Sequence, residues 1–182
     1  FRDALNAGRF PSAVAIKGQT EGPITVSAYL FYENRSMLSD ATLLQAVSPV
    51  TCDRIGPNFC VNPVSRLPVL LFIDEPALCL DNPATEGARL AALQSTLDGV
   101  RSSGALAGLH CCASHPFERM CRAKPDVLSF DAHLGLEAFF ANREAQAFLS
   151  TGGSVAYGLV PTWTDLAGID PQALLVRWLN AA

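Results

Sequence analysis

A histidine, a cysteine pair and several carboxylates stand at the ends of apolar runs in this chain, where β-strands would carry them to one edge of a sheet. The sharpest case is Leu109-His110-Cys111-Cys112. In an extended segment residues i and i+2 point the same way, so His110 and Cys112 can aim at one point while Cys111 faces the other side. An imidazole and a thiolate so placed are suitable zinc ligands; the alternative is a core histidine beside two buried thiols. Asp74 and Glu75 directly follow the strongest apolar run, Val69 to Ile73. A carboxylate pair at that end of a strand suits binding of a substrate ammonium, or acid–base work. A helix-start or loop carboxylate satisfied by backbone N–H groups is the other reading. Asp131 closes the run Val127 to Phe130 as His110 closes the preceding one, which makes it a neighbour of His110 and an acceptable third zinc ligand. His133 reads as a loop residue, and His115 as either a partner of a ligand or a solvated side chain. Lys17-Gly18-Gln19 followed by Gly22-Pro23-Ile24-Thr25 marks a turn that lets backbone approach a ligand, or an ordinary strand-to-helix turn. It is not a P-loop, because no Gly-Lys-Ser/Thr follows.

These groups need elements to hold them. Five short runs, Ala13 to Ile16, Val69 to Ile73, Ala105 to Leu109, Val127 to Phe130 and Val155 to Val160, are near-continuously apolar, as in parallel strands buried on both faces. Leu90, Leu93, Leu97 and Val100 repeat at three and four residues, which predicts a helix from about Thr85 to Arg101. Leu136, Phe139, Phe140, Ala147 and Phe148 form a second stripe. Asp170-Pro171 starts a further helix, with Leu174, Leu175, Trp178 and Leu179 facing the core. A short helix is expected over Leu38 to Val47, then an irregular segment broken by Pro49, Pro57, Pro63 and Pro68. Alternating strands and helices give an α/β fold, either a doubly wound sheet or a (β/α)8 TIM barrel. A complete barrel takes about 250 residues, so a barrel in this chain amounts to about five strand–helix units in one domain over residues 1–182.

Composition narrows the partners. With 182 residues, 49% hydrophobic and 16% charged, the chain can bury a sizeable core. Thirteen Lys+Arg against 17 Asp+Glu, without a basic block, argue against a nucleic-acid surface. No apolar run approaches the roughly 20 residues of a membrane helix. No charged leader followed by an apolar stretch opens the chain, so a cytoplasmic address is expected. Because the first residue is Phe1 rather than Met, a fragment or a processed product is expected. Cys52, Cys60, Cys79 and Cys121 read as packing thiols.

Ile16-Lys17-Gly18 with Gly22-Pro23-Ile24-Thr25 is followed by Phe72-Ile73-Asp74-Glu75-Pro76-Ala77-Leu78 and by His110-x-Cys112. Asp126-Val127-Leu128-Ser129-Phe130-Asp131 and Tyr157-Gly158-Leu159-Val160-Pro161-Thr162 come next. In order and spacing this text resembles the superfamily that joins cobalamin-independent methionine synthase and uroporphyrinogen decarboxylase. The resemblance implies a (β/α)8 barrel whose zinc is held by His110, Cys112 and Asp131, with Asp131 in place of the methionine synthase Glu. A cysteine expected beyond Ala182 would be the fourth ligand. It also implies that Asp74, the candidate catalytic residue, grips the amino group of a small homocysteine-like thiol. Glu75 and Lys17 are the further candidate substrate-binding residues. Zinc would lower the thiol pKa from its usual ~8.5, and the thiolate would attack a methyl group carried by a folate or a corrinoid. Two alternatives stand beside this: decarboxylation of tetrapyrrole side chains, with Asp74 or Asp131 stabilising a protonated pyrrole, and a non-catalytic barrel fragment. A partial barrel leaves parallel edge strands to be covered, so such a fragment should dimerise, as a homo-oligomer, or be unstable.

Overall fold

The computed structural model describes residues 2–47, 67–162 and 165–181. In chain order the elements are α1 (Arg2–Asn6), β1 (Ile16–Glu21), α2 (Pro23–Tyr29), a two-stranded hairpin of β2 (Phe31–Tyr32) and β3 (Arg35–Ser36), and α3 (residues 41–47). They continue with β4 (Val69–Asp74), α4 (Glu86–Ser102), β5 (Leu106–Cys111), α5 (Phe117–Arg122), β6 (Val127–Asp131), α6 (Ala132–Ala141), α7 (Arg143–Ser150), β7 (Ser154–Gly158) and α8 (Pro171–Ala181). Among the described residues β1, β4, β5, β6 and β7 form one parallel sheet in that order.

Spatial order therefore equals chain order, without the reversal that defines a doubly wound sheet. Crossovers between parallel strands are right-handed, so a sheet built this way collects its helices on one face. The register agrees. Val69, Leu71, Ile73, Ala107, Leu109, Cys111, Leu128 and Phe130 share one core with Ile24, Leu93, Leu97, Val100, Met120, Leu136, Phe139 and Phe148 from the helices. The alternate residues lie on the other face; Lys17, Gln19, Glu21, Asp74, His110, Ser129 and Asp131 among them are exposed or half-buried, while Phe72 and Gly108 at the middle of the sheet are buried. We call this the open face. Apart from Phe72 and Gly108, the sheet is buried on one side rather than on both.

That one-sidedness explains where the expected elements shift. The first strand forms over Ile16–Glu21, not Ala13 to Ile16, and Val14 is 83% exposed. Among the described residues β1 is an edge strand paired with β4 alone, so alternation of Ile16, Gly18 and Thr20 with polar neighbours suits it better than a continuous apolar run. The expected Thr85 to Arg101 helix appears as α4. The stripe from Leu136 to Phe148 is cut into α6 and α7 at Asn142, whose extended backbone ends one helix while its side chain caps the next through Ala145 N at 3.0 Å. Of the four residues of α8 expected to face the core, Trp178 packs against it and Leu174 is half-buried, but Leu175 and Leu179 are 42 and 58% exposed. The helix rests on Trp178 against Tyr157 and on Arg177, which bonds Glu137 and the His133 carbonyl. Residues 48–66, with Cys52, Cys60 and most of the expected irregular segment, lie outside the described residues. Among the described residues no helix is long and apolar enough to cross a membrane.

The core joining the sheet to the helices centres on Phe130, 1% exposed, with ring centroids of Phe139, Phe117 and Tyr157 at 4.9, 5.0 and 5.8 Å. Replacing Phe130 by Ala should cost about 3–5 kcal/mol of folding free energy, read from urea denaturation. A loss below about 1 kcal/mol, the size of a surface substitution, would contradict this packing.

Candidate functional site

Cross-strand register brings polar side chains together at the carboxyl ends of the open face. Glu21 lies opposite Asp74, Asp74 opposite His110, and His110 opposite Ser129. On β1, Lys17 and Gln19 share that face with Glu21. Lys17 Nζ donates to Gln19 Oε1, and Gln19 Nε2 donates to Asp74 Oδ2 at 3.0 Å. The His110 ring meets Ser129 Oγ through Nδ1 at 3.1 Å. Beneath the row lies Phe72, with Lys17 Nζ 5.2 Å from its ring centroid. Its partner across the strands is Gly108, where a Cβ would come within 2.4 Å of the Phe72 ring; only glycine leaves that ring its place.

Asp74 is half-buried, and burial raises its carboxyl above the usual range, against the opposing pull of His110, Lys17 and the Gln19 amide. A carboxylate that has lost part of its hydration and points to an open face favours a cationic partner. Lys17 and Asp74, both candidate substrate-binding residues, are thus brought together through Gln19.

Glu75 goes the other way. One step along the chain its side chain enters the helix side of the sheet and is fully buried. Its Oε1 accepts from Ile24 N at 2.9 Å, and its Oε2 from Thr25 N at 2.7 Å and Thr25 Oγ1 at 2.6 Å. These are free donors of the first turn of α2, which no side chain at Gly22 could cap. Gly22 is required for this approach, since a Cβ there would lie 2.2 Å from Glu75 Oε1. Of the two readings left open for the pair, the helix-start carboxylate describes Glu75, and the expectation that it binds substrate is corrected.

The three expected zinc ligands are not brought together. His110 is on the open face and Cys111 on the buried one, as the alternation requires. But β5 ends at Cys111, so the alternation does not extend to Cys112, which is exposed beyond the strand. Asp131 turns its Oδ1 to His133 N at 2.8 Å as the N-cap of α6. Among the described residues no group of three or more His, Cys, Asp or Glu side chains could hold a metal ion. As arranged, His110, Cys112 and Asp131 do not fit a zinc centre.

The other histidines have different partners. His133 Nε2 bonds the Leu159 carbonyl, and His115 stacks on Phe117 with centroids 5.4 Å apart, its burial lowering its pKa. Gln19 and Ser129 were missed as members of the row; both follow from counting two residues along a strand once its register is known. A cavity of about 840 Å³ opens at the opposite, amino ends of β5, β6 and β7, between Leu106, Asp126, Val127, Phe148 and Ser154. Comparison with protein-family models, curated proteins and solved structures found no match for this chain.

Burial pushes the Glu75 carboxyl up to about 7 from 4.5, more than the Thr25 and Ile24 hydrogen bonds pull it down. The native state then binds this proton more tightly than the unfolded chain does. The stabilisation is complete below about pH 4.5 and is lost as pH rises through about 7. Melting temperature should fall across that window by an amount reflecting on the order of 3 kcal/mol, and Glu75→Gln should flatten the profile. A wild-type melting temperature that rises between pH 5 and 7.5, with Glu75→Gln parallel to it, would contradict the assignment.

Proposed function

We propose that this chain is part of a (β/α)8-type barrel enzyme that holds a small thiol by its amino group and activates it for methyl transfer, as the resemblance to cobalamin-independent methionine synthase implies. The supporting observation is the Asp74 carboxylate: half-buried, raised in pKa, and on the open face with His110 opposite it. Strands in chain order, helices on one side and polar groups at the carboxyl ends of the strands are what a barrel enzyme requires of this segment. On this reading further strands pair with β1 and β7, since a closed barrel has no free edge.

The roles divide by charge. Asp74 takes the substrate ammonium, replacing hydration lost on burial with a charge-assisted hydrogen bond. His110, steadied at Nδ1 by Ser129, is the group suited to accept the thiol proton, leaving the sulfur as the thiolate nucleophile. No step passes through zinc, because His110, Cys112 and Asp131 do not fit it as arranged. A folate or a corrinoid is the class of methyl donor this reading requires.

Calorimetric titration with L-homocysteine tests the central contact. Asp74→Asn should weaken binding about 10- to 100-fold, the loss of one hydrogen bond to a charged group. The desamino analogue 4-mercaptobutanoate should bind the wild-type protein as weakly as homocysteine binds the variant. Equal affinity of wild type and Asp74→Asn for homocysteine would overturn the proposal.

A further inference from the structure

We infer that Gln19 is a positioning residue: its amide stands between Lys17 and Asp74, keeps that ammonium and carboxylate from closing on each other, and so leaves Asp74 open to a cationic ligand. The inference rests on the reading of Asp74 given above, and it concerns how the site stays available.

Lys17 and Gln19 lie on the same face of β1, two residues apart, with Phe72 opposite Gln19 and Asp74 opposite Glu21. Lys17 Nζ, drawn over the Phe72 ring, donates to Gln19 Oε1. From the other end of the amide, Nε2 donates to Asp74 Oδ2 at 3.0 Å. Among the described residues no ion pair joins Lys17 to Asp74, although the Lys17 charge acts on the Asp74 carboxyl. An amide is suited to this place because one end accepts and the other donates. A carboxylate there would repel Asp74, and a side chain too short to span the gap would let the flexible lysine stem swing across. A lysine paired with Asp74 is a competitor that an incoming ammonium must displace. Exposed ion pairs are weak, so the competition amounts to a several-fold effect rather than a loss of binding.

Two arms test this, both on the whole chain. Zero-length carbodiimide cross-linking, read by mass spectrometry, reports whether Lys17 and Asp74 touch. The Lys17–Asp74 isopeptide should be scarce in the wild-type protein and rise several-fold in Gln19→Ala. Calorimetry with L-homocysteine should show several-fold weaker binding to Gln19→Ala. A merely structural role for Gln19 would weaken binding and leave the cross-link unchanged; that result overturns the inference. If the wild-type protein binds no homocysteine, the proposed function fails, while the cross-linking arm still decides the role of Gln19.

Discussion

A strand turns successive side chains to opposite faces, and in this sheet the two faces have different fates. Because the strands follow one another in space as they do in the chain, right-handed crossovers gather the helices on one side. One residue of register then separates a side chain packed among Leu93, Leu97 and Phe139 from one left at the open face. Asp74 and Glu75 are the clearest case. They are neighbours of similar chemistry, yet one stands opposite His110 and the other is sealed beneath a helix.

The sealed carboxylate is what holds the other in place. Glu75 satisfies the first N–H groups of α2, while its own N–H donates to the His110 carbonyl at 2.8 Å, so the tips of β4 and β5 and the start of α2 are joined at one residue. The loop that follows is pinned from the far side by Arg89, which donates to the carbonyls of Ala77 and Leu80 at 3.0 and 2.6 Å, and by Arg119, which reaches that of Leu78 at 3.2 Å. Buried donors and acceptors that find one another this way fix a backbone more firmly than apolar contact alone, since breaking any of them strands a desolvated polar group. The open face thereby keeps its register while its own side chains remain partly solvated.

Much of this was legible in the residues. The apolar runs at Val69, Ala105 and Val127 are strands, the three-and-four spacing of Leu90 to Val100 is α4, and Asp74 and His110 share a face as alternation demands. Failures came where local pattern meets tertiary context. Among the described residues β1 is an edge strand with one polar face, so its signal is an alternation weaker than the Ala13 to Ile16 run beside it. Whether a carboxylate caps a helix distant in sequence, as Glu75 does with α2, cannot be counted from spacing. The zinc set depended on β5 lasting one residue longer than it does, and on Asp131 forgoing the cap of α6. Strand ends are set by backbone pairing, which composition records poorly.

The division of faces is tested most directly by labelling carboxyl groups of the native protein with a carbodiimide and a small amine, then locating the products by mass spectrometry. Asp74, half-buried on the open face, should be modified, and Glu75, fully buried against Ile24 and Thr25, should be protected until the protein unfolds. Equal labelling of the two in the native state, or protection of Asp74 with modification of Glu75, would contradict the account.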